Sequence, residues 1–165
     1  MKIKNLKLKI KNFEKGLGMV EIMVVVAVII VAFTAILQLF NLQVQTERAK
    51  REELQAYALL AEGMEATRAV RDDAWINLSA LTLGADYYPV ILGGAWILSG
   101  IDPGPIDGFT RWVELASVRR DGSDNIVPAG GVVDPGTLLI TGYIEWQSGS
   151  ATKTRSVATY LTDRL

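Results

Sequence analysis

The chain has 165 residues, with 17 Lys and Arg against 18 Asp and Glu, and it contains neither histidine nor cysteine. Their absence excludes disulfides, Cys- or His-ligated zinc, thiol nucleophiles and histidine bases. Ser, Lys, Tyr and carboxylates remain, and no arrangement of them reads as a catalytic site, so no enzyme is expected.

Residues 1–16 (MKIKNLKLKIKNFEKG) hold six lysines against Glu14 alone, leaving 11 basic and 17 acidic side chains in the remainder. A basic head before an apolar stretch is the pattern of a targeting segment kept on the cytoplasmic side of a membrane. Residues 22–46 carry no charge, and residues 22–40 are almost wholly apolar. At 1.5 Å per residue, a helix of this length crosses a hydrocarbon core of about 30 Å. Residues 17–46 are therefore predicted to span a membrane once, with the lipid bilayer as their first partner.

Residues 47–75 are charged and rich in helix formers, and no Pro or Gly interrupts the chain between Met19 and Gly63. The helix is expected to continue as an amphipathic rod. Glu47 with Arg51, Arg48 with Glu52 and Arg68 with Asp72 stand at helical spacing, each pair adding a few tenths of a kcal/mol. Leu54, Tyr57, Ala58, Ala61 and Met64 recur at three- and four-residue intervals and predict one apolar face that needs a cover.

The cover is expected from residues 76–165, a C-terminal globular β-sheet region. Residues 76–108 are rich in Gly and Pro with short apolar runs (YYPVILGGAWIL), and read as a connecting loop with one strand. Residues 109–120 (FTRWVELASVRR) predict a strand ending at the turn Asp121-Gly122. Residues 137–147 alternate, with Leu138, Ile140, Ile144 and Trp146 on one face and Thr141, Tyr143 and Glu145 on the other. Ser148-Gly149-Ser150 predicts a hairpin into residues 153–162, with Val157 and Leu161 inward. The fold class is α+β: a long N-terminal helix, half membrane-spanning and half amphipathic, packed on a small antiparallel sheet.

The junction of leader and apolar segment reads Lys15-Gly16-Leu17-Gly18-Met19-Val20-Glu21-Ile22. It resembles the prepilin cleavage and methylation motif of type IV pilins and pseudopilins, in which a basic leader ends in Gly, a hydrophobic residue opens the mature chain, and a glutamate follows four residues later. The resemblance covers residues 10–45 closely and the helix-then-sheet order of the rest loosely. It implies cleavage between Gly16 and Leu17 by an inner-membrane prepilin peptidase, and N-methylation of Leu17. It also implies partnership with other pilin or pseudopilin subunits and with an inner-membrane assembly platform. Glu21 would set register in the assembly by pairing with the Leu17 amine of a neighbour. The implied site is the bacterial inner membrane, with the N-terminus cytoplasmic and the C-terminal region exported, and then a type IV pilus or type II secretion filament. The family usually opens with Phe followed by Thr or Ser, where this chain has Leu17 and Gly18. Many major pilins also carry a helix Pro near the position of Gln38, so the resemblance points to a minor subunit.

Other residues have plainer readings. Asp121-Gly122-Ser123-Asp124-Asn125 lacks the ligand spacing of a calcium loop and reads as a polar turn. Asp72-Asp73 at the helix end reads as solvated acids. Trp75, Trp96, Trp112 and Trp146 read as packing against the helix rather than as a stacking surface. Arg119-Arg120 is too small a patch for nucleic acid. Lys50 and Lys153, the lysines outside the leader, sit in no serine-containing motif. No cofactor, metal or nucleic acid is expected. The rival reading is a signal-anchored membrane protein that is never cleaved and carries an exported β-rich binding module.

Overall fold

The computed structural model describes residues 18–163. The leader and the junction of Gly16 with Leu17 lie outside them. Helix α1 (Met19–Asp73) is followed by a single helical turn, α2 (Ile76–Ser79). Then come β1 (Asp86–Leu92), β2 (Ala95–Ser99), β3 (Phe109–Arg120), β4 (Ile126–Val127), β5 (Val132–Ser148) and β6 (Ala151–Thr162). The strands form one antiparallel sheet in the order β2-β1-β3-β5-β6, with β4 added at the end of β3. The fold is α+β, as the residue pattern predicts. The chain divides into two compact units between Thr46 and Glu47.

In the first unit the described residues are helix from Met19 onward. Glu21 in the first turn and Arg71 in the last complement the dipole of α1. The hydroxyls of Thr34 and Thr46 donate to the carbonyls of Val31 and Leu42, each at 2.9 Å, so neither is left without a partner. The large apolar side chains from Met19 to Val44 are all exposed.

In the second unit α1 buries Ala56, Leu60, Gly63, Met64, Ala66, Thr67 and Val70 against the sheet. This corrects the predicted face: Met64 is buried, but Leu54 is 69 % exposed and Tyr57 48 %. Ala58 and Ala61 are exposed too. The reason is distance. The face that meets the sheet is made largely of small residues, which let the backbones approach, whereas bulky side chains flank it. Gly142 on β5 lies at the closest approach; a Cβ there would stand 2.6 Å from Met64 Sδ and 3.2 Å from Leu60 Cδ1. Thr67 is satisfied where it is buried, its hydroxyl donating to Gly63 O at 2.9 Å. Ion pairs along this stretch join Glu47 to Lys50 and Arg68 to Glu65, both at a spacing of three.

The strand reading holds for β3, whose bounds are those predicted, and for the inward row of β5. Leu138, Ile140, Ile144 and Trp146 are buried. Thr141, Tyr143 and Glu145 on the other face are half-buried. Two core clusters result. One gathers Met64, Val70, Tyr87, Val113, Leu115, Ile140 and Leu161 among others, and the second holds Ala56, Leu60, Phe109, Ile144 and Trp146. Each fully buried aliphatic side chain in them contributes about 1.5–3 kcal/mol.

Three further expectations are corrected. Residues 76–108 hold two strands and a helical turn instead of a loop with one strand. Gly93 and Gly94, both at positive φ (63° and 87°), make the two-residue turn that joins β1 to β2. Pro89 is tolerated because it lies beyond the last β1–β3 pair, Tyr87 with Val113. Val157 shares the helix-facing side of β6 with Leu161 yet is 44 % exposed, because β6 is the sheet's edge. Of the tryptophans, Trp146 is buried under the helix and Trp75 and Trp96 pack against the first cluster. Trp112 instead points to the opposite side of the sheet, stacked on Tyr143 with ring centroids 5.2 Å apart and planes 11° off parallel.

Candidate functional site

Of the residues singled out at the N-terminus, Glu21 is described and Gly16 and Leu17 are not. Glu21 sits in the first turn of α1, and its amide donates to Gly18 O at 2.9 Å. A carboxylate there faces the free N–H groups and the positive end of the helix dipole. C-terminal to it comes a run of apolar side chains with none buried. A helix of this kind satisfies its own backbone hydrogen bonds, which is what a hydrocarbon environment requires. It is long and apolar enough to cross a membrane.

The second unit carries a feature that the residue pattern hinted at and the strand reading passed over. Arg111 on β3 and Arg155 on β6 both point to the helix side, and in register both stand opposite Ile144 on β5. Arg111 donates to Glu62 Oε1 and to Leu59 O, each at 3.2 Å, and stacks over Trp96 at 5.7 Å. Arg155 donates through Nε and Nη2 to Glu53 Oε1, at 3.1 and 2.8 Å, and lies over Trp146 at 5.8 Å. Glu53 and Glu62 are nine residues apart, or about 900° of helical rotation, so they leave α1 from opposite flanks. The helix is therefore clasped from both sides. An arginine in phase with Phe109, Val113 and Leu115 was the visible sign, since a cation on an apolar strand face needs a carboxylate from the element that covers it.

The remaining candidates resolve into local structure. Asp121 accepts from the amides of Ser123 and Asn125 at 2.8 and 2.9 Å, and the backbone and side-chain N–H groups of Asn125 lead in holding its carboxyl below the usual range. Among the described residues no three acidic side chains gather closely enough to hold a metal ion. Arg120 belongs to the sheet: its Nε donates to Asp134 at 2.7 Å, across the register shift at Ser117 and Val118. That bond, with others from Thr137 and the Gly136 amide, holds the Asp134 carboxyl down at about 2. Asp72 pairs with Arg71 at 2.7 Å, and Asp73 accepts from Asn77 at 2.9 Å. A groove of about 380 Å³ runs between α1 and the β6 edge, lined by Tyr57, Leu60, Ala61, Met64 and Val157 among others. Comparison of the chain with protein families, with curated proteins and with solved structures finds no match to any of them.

Proposed function

We propose that the chain is a minor pilin or pseudopilin, a structural subunit of a bacterial type IV pilus or type II secretion-like filament. It is the substrate of an enzyme and not an enzyme itself. The observation that carries this reading is the uncharged helical run with no covered side, preceded in the sequence by Gly16, Leu17 and Glu21. Such a rod needs lipid on its surface or other rods like it.

The six leader lysines hold the N-terminus in the cytoplasm, since placing each in the membrane centre costs about 2.5–3.5 kcal/mol on insertion scales. The region beyond Glu47 is then the exported part. Cleavage after Gly16 removes the lysines and leaves an α-amine on Leu17, four residues before Glu21 in the sequence. Among packed helices, the carboxylate of one subunit meets the amine of the next, and a slip of one turn strands two charges in an apolar setting. N-methylation keeps the positive charge.

The test is intact-mass analysis of the chain co-expressed with a prepilin peptidase. Loss of residues 1–16 with one added methyl is expected. An unshortened mass, alongside normal processing of a control pilin, overturns the reading. Glu21→Ala is expected to be cleaved normally and to enter filaments poorly.

A further inference from the structure

In the middle of the sheet the two faces differ in charge. Arg111 and Arg155 point toward the helix and are paired there, and Lys153, opposite Trp146 in register, shares their side. Arg120 is paired to Asp134, and Arg119 donates to Gly131 O at the far end of β3. The other face presents Asp86, Glu114 and Glu145 around the stacked rings of Trp112 and Tyr143. Asp86 and Glu114 are direct cross-strand partners, an arrangement that is destabilising for like charges. Glu114 reaches Tyr143 Oη at 3.4 Å, and Glu145 accepts weakly from Thr154 at 3.5 Å. No arginine or lysine among the described residues pairs with any of the three.

Their negative field acts on the aromatic hydroxyls. Partial burial and then the charges of Glu114 and Asp86 raise the pKa of Tyr143, and burial followed by Asp102 and Asp86 raises that of Tyr88. The carboxylates are spread too widely to close on a metal ion. Aromatic faces beside unpaired acids suit a cation borne on a long side chain, which stacks over the ring and reaches a carboxylate with its N–H groups.

We propose that this face, centred on Trp112 and Tyr143 and edged by Asp86, Glu114 and Glu145, docks an arginine- or lysine-bearing segment of a partner protein. Charge complementarity selects the occupant. The site lies in the second unit and does not depend on how the N-terminus is processed, so it stands or falls separately from the filament reading.

The experiment uses the full chain in nanodiscs of zwitterionic phosphatidylcholine, titrated against a fluorescent peptide of alternating Gly and Arg at about 0.15 M salt. Saturable binding by anisotropy is expected. Glu114→Gln and Trp112→Leu are each expected to weaken it about tenfold. Asp124→Asn, which removes the same charge from an exposed turn, is expected to leave it unchanged. Glu145→Gln, which preserves shape, is expected to weaken binding too, and it carries the test if Trp112→Leu does not fold. Equal weakening by Asp124→Asn would mean non-specific attraction and overturn the proposal. So would unchanged binding in both glutamine variants, or preference for a neutral oligosaccharide over the peptide.

Discussion

The two halves of α1 are one continuous helix built on opposite principles. Before Thr46 large apolar residues stand on every side, and all of those large side chains are exposed. Beyond Glu47 the helix is strongly charged, yet it buries a face of Ala56, Gly63, Ala66 and Thr67 together with Leu60, Met64 and Val70. Hydrophobicity therefore predicts poorly which part of this helix is covered by its own chain. Smallness predicts it better, because a helix lies close to a sheet only where side chains leave room.

The contrast can be tested from either side. The largest expected effect is Ile144→Ala, at the point where both arginines flank the helix; it is expected to cost about 2–5 kcal/mol in chemical unfolding of the second unit. Ile29→Arg, in the uncharged half, is expected to cost about 2.5–3.5 kcal/mol of insertion and to leave unfolding of the second unit unchanged. Membrane fractionation reads the first effect and denaturant titration the second. Gly142→Ala is expected to cost about 1–3 kcal/mol, because the added methyl drives into Met64 and Leu60. Leu54→Ala on the flank is expected to change stability by less than about 0.5 kcal/mol, although it alters three carbons where Gly142→Ala alters one.

A separate test is a pH dependence. Asp134 titrates at about 2 in the folded chain against an ordinary 3.8. A carboxyl depressed by folding stabilises above its unfolded pKa, and that contribution is lost as pH falls from about 4 toward 2. Asp134→Asn is expected to lower the thermal midpoint at neutral pH and to flatten this acid limb.

Legibility in the sequence follows the same division. The helix, the fold class, the bounds of β3 and the inward row of β5 were readable, because each rests on period or on unbroken propensity within one element. The covered face of α1 was not, because it depends on Gly142, more than seventy residues away. The β1–β2 hairpin was written as Gly93-Gly94 between two apolar runs, but Pro89 and the short runs obscured it. Trp112, which lies on the far side, and Val157, which lies on the expected side but is only partly covered, differ from expectation for a shared reason. Alternation says which residues share a side of a strand, but not on which side the helix lies or how far it reaches. At the N-terminus Glu21 was located, with Gly16 and Leu17 outside the described residues.

The clasp formed by Glu53 with Arg155 and Glu62 with Arg111 has a mechanical consequence. Rolling the helix about its long axis would stretch one pair while compressing the other, so the two act as opposed stays. The helix is thereby tied to an inner strand, β3, as well as to the edge strand, β6.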